Sequence, residues 1–378
     1  MGGVRQARRA AAVLVVLALW SVAARAETTT ELSGSILVFP KVIFDGTRDT
    51  IIQISNTSNS VIHSHCFYVN AVPECSGPGD CLEGTCIGEC TPRWQEVDFD
   101  IWLTKQQPTM WVAGFGRFVD PFDEPCRIDL ANNGRNDNFD CYGAGTDPGQ
   151  IPPVPDPFLG ELKCIEVDSF GAPVSGNHLK GEATLVSTDT GDASKYNAVA
   201  FLGFDQDGNN TLCIGGGDQN DADLCPVGAE YSACPDTLIM NHFAEGADDP
   251  LFGPESTVST ELTVVPCTED FEQQAPSRVV VQFQLFNEFE NRFSASTTVD
   301  CWGNFFLEDV QARLFDVRTL GTRFAQTRLQ SSSRSASGII GVIEERHQLG
   351  DAVTHAAFNL HEEGDRLPQD YIFIPEGP

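Results

Sequence analysis

Thirteen cysteines constrain this chain more than any other feature, because a segment that reads as an export signal precedes all of them. Arg5, Arg8 and Arg9 lead into an apolar run from Ala10 to Ala24, and Ala24-Arg25-Ala26 has the small-x-small form of a signal-peptidase site. Residues 1–26 are therefore expected to be a signal peptide, with Glu27 as the first mature residue. An apolar run of about fifteen residues is too short for a bilayer-spanning helix, which needs roughly 20. The chain is thus expected outside the cytoplasm: periplasmic, extracellular or on the cell surface. In that oxidising compartment cysteines pair as disulfides, and an odd number leaves one free or bonded between molecules.

Spacing suggests which cysteines pair. Cys75, Cys81, Cys86 and Cys90 share the Gly-rich segment CSGPGDCLEGTCIGEC and are expected to form two bonds within it. A zinc site on Cys81, Cys86 and Cys90 is the competing reading, and export favours the disulfides. Cys126 and Cys141 bracket the loop ANNGRNDNFD, whose closure is worth roughly 3 kcal/mol in the chain-entropy picture. Cys66 is expected to pair with Cys164, and Cys267 with Cys301. Cys213, Cys225 and Cys234 stand in an acidic, Gly-rich stretch, with Cys213 and Cys234 as its disulfide candidates.

The formal charge is −31, and loss of four arginines with the signal takes it to −35. Such a charge repels nucleic acid, so that partner is set aside. No later stretch is apolar enough to span a membrane as a helix. Phe, Gly and Pro are plentiful at 25, 34 and 22, while Met numbers 3, a mixture that favours strands and turns over helical bundles.

Alternation confirms that preference. Val97, Phe99, Ile101 and Leu103 alternate with Asp98, Asp100, Trp102 and Thr104, and Leu179, Gly181, Ala183 and Leu185 with Lys180, Glu182, Thr184 and Val186. Tyr196–Phe204 reads as a hairpin return, and Gly338–Ile343 with Ala352–Leu360 as strands around a turn at 349–351. An internal echo also stands out. Leu37-Val38-Phe39-Pro40, then Gln53 to Asn56, then a strand reaching Cys66, is matched by Leu262 to Pro266, then Gln284 to Asn287, then a strand reaching Cys301.

The expected fold is all-β: two immunoglobulin-like β-sandwich domains, duplicated and disulfide-braced. Cys66, Trp102 and Cys164 follow the Cys-Trp-Cys order of such domains. The first domain would span 27–204, with a Cys-rich insert at 74–93 and a long loop at 119–157. An acidic linker or excursion would occupy 205–255, and the second domain 256–378. Pro40 and Pro266, lacking an N–H, should each end an edge strand or bend between sheets.

The phrases VDFDIWLTKQQPTMW, GELKCIEVD, NHLKGEATLVS, LTVVPCTEDFE and LFNEFENRFSASTTVDC resemble a group of exported bacterial β-sandwich proteins with no assigned function. The resemblance spans most of the mature chain, with the 75–90 insert as an addition. It implies a secreted β-protein and supplies no activity or site residues.

Chemistry is sparse in the sequence. His63-x-His65 places two imidazoles on one side of a predicted strand, about 7 Å apart at a rise of roughly 3.3 Å per residue. A metal site there would need a third ligand that the sequence does not name. His178, His242, His347, His355 and His361 are isolated. Asp205, Asp207 and Asn209 alternate oxygen ligands around Gly208 and form a candidate Ca²⁺ turn, although the same residues suit a plain hairpin turn. Asn136–Asp140 and Asp218–Asp223 repeat the theme. No G-x-S-x-G elbow or phosphate-cradling glycine loop occurs, and Ser331–Ser333 lie in a polar loop. Trp94, Trp102 and Trp111 are near enough in sequence to form a carbohydrate-stacking surface, or else to fill a core.

These features point to a non-enzymatic structural, adhesion or binding protein that takes a protein or carbohydrate ligand, with no catalytic residues and no cofactor beyond Ca²⁺. The alternatives are a carbohydrate-active enzyme using paired carboxylates, or a calcium-dependent carbohydrate-binding module. A cleft lined by two carboxylates would separate the enzyme from the binding protein.

Overall fold

Unbroken apolar runs such as ILVFPKVIF fold as strands buried on both faces, whereas alternating stretches such as LKGEATLVS bury one. The computed structural model describes residues 28–75, 81–82, 85–86, 90–92, 94–117, 149–215, 224–311, 313–332 and 337–375, with backbone alone at 73–92. The signal segment, the Cys126–Cys141 pair, the 136–140 and 218–223 motifs and the side chains of Cys75, Cys81, Cys86 and Cys90 lie outside the described residues.

The chain begins with β1 (Ile36–Phe44), β2 (Arg48–Asn56) and β3 (Ile62–Asn70). Four short strands follow: β4 (Pro73–Cys75), β5 (Cys81–Leu82), β6 (Thr85–Cys86) and β7 (Cys90–Pro92). Then come β8 (Gln95–Leu103), β9 (Pro108–Val112), β10 (Phe158–Val167), β11 (Leu179–Ser187), β12 (Ala193–Asn197) and β13 (Val199–Phe201). The later part has β14 (Thr211–Ile214), β15 (Pro235–Phe243), β16 (Ala247–Asp249), β17 (Gly253–Pro266) and β18 (Glu269–Asp270). It continues with β19 (Arg278–Asn287), β20 (Arg292–Asp300), β21 (Gly303–Phe306) and two single-turn helices, α1 (Leu307–Val310) and α2 (Val317–Leu320). It closes with β22 (Phe324–Ser331), β23 (Ile339–Leu349), β24 (Ala352–Asn359), β25 (His361–Asp365) and β26 (Asp370–Phe373).

These strands make five main sheets among the described residues. Sheet 1 runs β13-β1-β10-β3-β8, and sheet 2 runs β12-β11-β2-β9. Sheet 3 is β14-β26-β18, sheet 4 is β20-β19-β22-β15-β25, and sheet 5 is β16-β17-β23-β24 with β21 also on β17. Leu37, Phe39 and Leu162 of sheet 1 share a core with Ile52, Ile54 and Ala183 of sheet 2. Gly181 makes that approach close, since a Cβ there would stand 2.6 Å from Phe39. The other face of sheet 1, with Ile36, Val38, Phe67 and Ile165, packs on Leu212 and Ile372 of sheet 3 and on Val265 and Ile340 of sheet 5. Sheets 4 and 5 enclose a third core with Met240, Phe283, Leu329, Leu262 and Ile343.

The all-β class therefore holds, but the division into two immunoglobulin-like sandwiches does not. Such a domain is pinned by a disulfide between its two sheets. Here Cys66 and Cys164 are direct register partners on the neighbouring strands β3 and β10 of one sheet, with Cα atoms 4.0 Å apart. Trp102 does not pack on that bond; it stacks on His63, on the opposite face of the sheet from the disulfide. The interval 205–255 is not a linker either. It supplies β14 to sheet 3, β15 to the interior of sheet 4, and β16 to sheet 5.

The echoed segments also part company at their third strand. β3 crosses to the sheet of β1, whereas β20 stays beside β19. What the echo does preserve is the asparagine. The Asn56 amide donates to the carbonyls of Ser60, Leu103 and Thr104, and that of Asn287 donates to Leu320. Each carbonyl oxygen in turn accepts from a following backbone N–H, at Ser58 and at Phe289.

Pro40 does not end a strand: β1 continues past it through a register shift between Phe39 and Val42. The backbone groups freed by this bulge find side-chain partners. Trp302 Nε1 donates to the Pro40 carbonyl at 2.8 Å, and the Tyr196 hydroxyl donates to the Lys41 carbonyl at 2.6 Å. Pro266 does end β17.

Two further disulfides join Cys213 to Cys225 and Cys234 to Cys267. The expected bond between Cys267 and Cys301 is thus replaced by one to Cys234, and Cys213 pairs with Cys225 rather than with Cys234. Cys301 is a buried free thiol.

Two lysines lie in the joint between the early and late strands. Lys41 on β1 is 1% exposed and pairs with Glu261 of β17 and, at 2.8 Å, with Glu344 of β23. Lys163 on β10 is equally buried, 3.0 Å from Glu161 and paired with Glu269 of β18. Burial works against the Lys163 charge, but the two carboxylates outweigh it and leave the ammonium above its ordinary pKa. Burial, and next the Glu161 charge, push Glu269 well above the carboxylate range.

His242, on β15, is buried beside the third core. Its Nδ1–H donates to the Phe243 carbonyl at 2.9 Å, and Nε2 accepts from the Thr327 hydroxyl at 2.8 Å. Burial pushes it down to about 4, so the folded state holds the neutral ring while the unfolded chain titrates near 6.5. Its contribution is fully present above pH 6.5 and is lost as pH falls toward 4, by on the order of 3 kcal/mol. Urea midpoints at pH 7 and pH 5 should therefore differ more for the wild type than for His242→Gln. Equal pH dependence in the two proteins would refute this assignment.

Candidate functional site

Among the described residues, two of the clefts lie on faces that these sheets leave open. The first lies on the outer side of sheet 2, about 590 Å³ in volume, lined by Gln53, Ser55, Met110, Arg117, Lys180 and Glu182. Strand alternation puts these side chains there, since their neighbours Ile52, Ile54 and Ala183 turn inward. Its charges are engaged within the protein. Lys180 donates to the Glu31 carbonyl at 2.6 Å, Glu182 pairs with Lys195 at 2.5 Å, and Arg117 donates to Thr109 Oγ1 at 2.9 Å. Among the described residues no aromatic ring lines it.

The second cleft, about 550 Å³, opens where sheets 4 and 5 part and β12 of sheet 2 meets them. Met240, Ile343 and Leu360 form an apolar floor, and Phe243, Phe324 and Phe358 form the walls. Phe243 and Phe324 are register partners whose rings meet edge to face at 5.5 Å. Phe324 and Phe358 remain 38% and 46% exposed, a large apolar surface to leave in water. Asn197, Asn241, Lys195 and His361 add polar groups around the opening. Asn359 ties β12 to β24, accepting from the Asn197 N–H at 2.9 Å and donating to its carbonyl at 2.6 Å.

Glu345 is the carboxylate of this cleft. Burial raises its pKa, opposed by His347 at 3.5 Å. His347 Nδ1 lies 2.7 Å from Asp249, whose carboxyl is held below its ordinary range by that hydrogen bond. An apolar pocket of this size with a few convergent polar groups, at the meeting of separate sheets, has the usual form of a ligand site.

The sequence-derived candidates lie elsewhere. Asp205, Asp207 and Asn209 form a turn in which Asn209 N and Nδ2 donate to Asp207, and Asn209 Oδ1 accepts from Thr211 N. None of the three lines either cleft. Trp111 is buried with Nε1 donating to the Tyr68 hydroxyl, and Trp94 packs on Phe271, so the three tryptophans do not form one stacking surface. Cys234, Cys267 and Asp370 also converge, but the two sulfurs are bonded to each other.

His63 and His65 do share a face, and β8 supplies their partners. His63 Nδ1 lies 2.8 Å from the Asp168 carbonyl and Nε2 lies 2.7 Å from Asp100 Oδ1. His65 Nδ1 lies 3.0 Å from that same Oδ1, and its Nε2 lies 3.2 Å from Asp98. Burial pulls His65 down, yet the hydrogen bonds to Asp100 and Asp98 raise it to about 9.

The second cleft is not legible in the sequence because six strands, spread from Lys195 to His361, contribute to it. The available signal was small: Phe324 and Phe358 sit at outward positions of alternating strands, where a polar residue is the norm.

No protein-family model matches this chain, and no curated protein matches it. Among solved structures it is similar to the N-terminal CBM22-1-CBM22-2 tandem domain from Paenibacillus barcinonensis Xyn10C. The identity is 11%, over 81% of this chain and 78% of that one, with a TM-score of 0.16. A likeness at that score says nothing about fold or ligand.

Proposed function

We propose that this is an exported, non-catalytic binding protein whose aromatic-walled cleft takes a neutral carbohydrate chain. The observation that carries this reading is the pairing of exposed Phe324 and Phe358 with amide groups in one cleft. Ring faces stack on the apolar faces of sugars, and amides satisfy their hydroxyls. A net charge of −31 disfavours an anionic polymer. A glycosidase needs two carboxylates about 5–9.5 Å apart. Among the described residues each of these two clefts instead has one lining carboxylate, Glu182 or Glu345. Export is supported by the signal-like segment and by three disulfides among the described residues, which fit an oxidising compartment.

Calorimetric titration of the mature protein with neutral β-linked and α-linked oligosaccharides tests the proposal. At least one series should bind, and Phe324→Ala and Phe358→Ala should each weaken it by roughly tenfold, about 1.4 kcal/mol. Failure of every neutral oligosaccharide to bind would overturn the reading. So would release of reducing ends abolished by Glu345→Gln, which would make the protein an enzyme.

A further inference from the structure

Glu161 and Lys163 stand two residues apart on β10, so strand alternation turns both to the same face of sheet 1. That face is apolar. Lys163 lies opposite Val38 of β1 and Phe67 of β3, and Phe67 stacks on Phe271 with ring centroids 4.3 Å apart. Glu269 reaches in from β18, and its Oε2 is in contact with Lys163 Nζ. The side chains of Lys163, Glu161 and Glu269 are 1%, 0% and 0% exposed, so water does not solvate the trio.

The trio is one positive charge short. Two carboxylates share one ammonium, and among the described residues no second cation pairs with either. Glu161 Oε1 and Glu269 Oε1 meet no hydrogen-bond donor among those residues. The other buried lysine shows how this protein completes an ion pair. Around Lys41, Arg48 lies 3.6 Å from Glu344, the Ser194 hydroxyl donates to Glu344 at 2.9 Å, and Asn304 Nδ2 donates to Glu261 at 2.6 Å. Glu161 and Glu269 have no counterpart of these groups among the described residues. What they have instead is an amine held against a carboxyl group, with a second carboxylate 3.0 Å from the same nitrogen.

From this arrangement we infer that Lys163 and Glu269 condense to an intramolecular amide bond, with Glu161 as the proton acceptor. Burial, and next the Glu161 charge, hold Glu269 in its acid form. Glu161 takes one proton from the Lys163 ammonium and frees the nitrogen lone pair. Nζ then bonds to Glu269 Cδ, and the Cδ–OH bond breaks. The hydroxyl leaves as water with a second proton from the nitrogen, while Glu161 keeps the first. Nothing is oxidised or reduced, and no co-reactant is needed. One positive and one negative charge vanish, leaving an amide and a neutral acid in an interior that penalises ions. The fold supplies the proximity that a free lysine and glutamate lack in water. Condensation follows folding, so the ion pair remains the state in which the chain folds and whose stability the lysine sets. The bond then ties β10 of sheet 1 to β18 of sheet 3 across 106 residues.

The test is the intact mass of the mature protein, reduced and alkylated so that disulfides do not count. Most chains should be lighter than their sequence by one water, about 18 Da. Digestion should release a branched peptide in which an amide joins Lys163 to Glu269. Lys163→Met and Glu269→Ala should stand at full mass. Glu161→Gln should leave most chains unreacted, since a positioned base is worth about a hundredfold or more in rate. That variant keeps the side-chain volume and leaves Lys163 with Glu269 as a balanced pair, and thermal unfolding checks that it folds. If Lys163→Met misfolds, Glu161→Gln and the wild-type branched peptide decide the matter. A wild type at full mass, a water loss that persists in Lys163→Met, or a folded Glu161→Gln that reacts as completely as the wild type would each overturn the inference.

Discussion

Lys163→Met should destabilise the protein by about 3–5 kcal/mol, the largest effect expected of any single substitution in sheet 1. The reason is what the change leaves behind. Glu161 and Glu269 are both 0% exposed, and Glu161 has no hydrogen-bond partner among the described residues other than its ion pair with this lysine. Methionine fills the volume of the lysine stem but leaves two carboxyl groups in an apolar interior. Adding Glu161→Gln and Glu269→Gln to Lys163→Met should recover most of the loss, because neutral amides remove the stranded charge. Urea unfolding of the single and triple variants measures both. A single-variant loss below about 1 kcal/mol would show that the lysine does not hold this cluster.

Replacing the Cys66–Cys164 bond with two alanines should cost about 4–5 kcal/mol. The bond closes 98 residues, and the entropy of the opened unfolded chain scales with the logarithm of that length. Cys213→Ala/Cys225→Ala removes a bond spanning 12 residues and should cost about 3 kcal/mol. The order of the two losses is the useful measurement. If the short loop proved the costlier one, loop closure would not be the source of the stability.

Local features of the fold were readable in the sequence. Alternation located β8 and β11, and the 338–360 hairpin appears as β23 and β24. Partnership over distance was not readable. Lys41 finds its carboxylates 220 and 303 residues away, and Lys163 finds Glu269 at 106. Nothing near LVFPKVIF or GELKCIEV announces them. The same limit misassigned Cys267. Cys301 fitted the internal echo as its partner, but Cys234 enters from an interval whose acidic, glycine-rich composition looked like linker. At the His63–His65 pair the strand period located the two rings, and only the β3–β8 register could add Asp98 and Asp100.

Sheet 3 is small, but its position gives it a part in the order of assembly. Its middle strand, β26, follows every other strand in sequence, and it pairs antiparallel with β14 and parallel with β18. β18 brings the Glu269 that meets Lys163, and the sheet shares with sheet 5 the covering of one face of sheet 1. Synthesis from the N-terminus therefore delivers Lys41 long before Glu261 and Glu344, and Lys163 with Glu161 long before Glu269. The earlier strands would have to wait, uncovered, for the last ones. Native structure would then be reached in one late step rather than domain by domain.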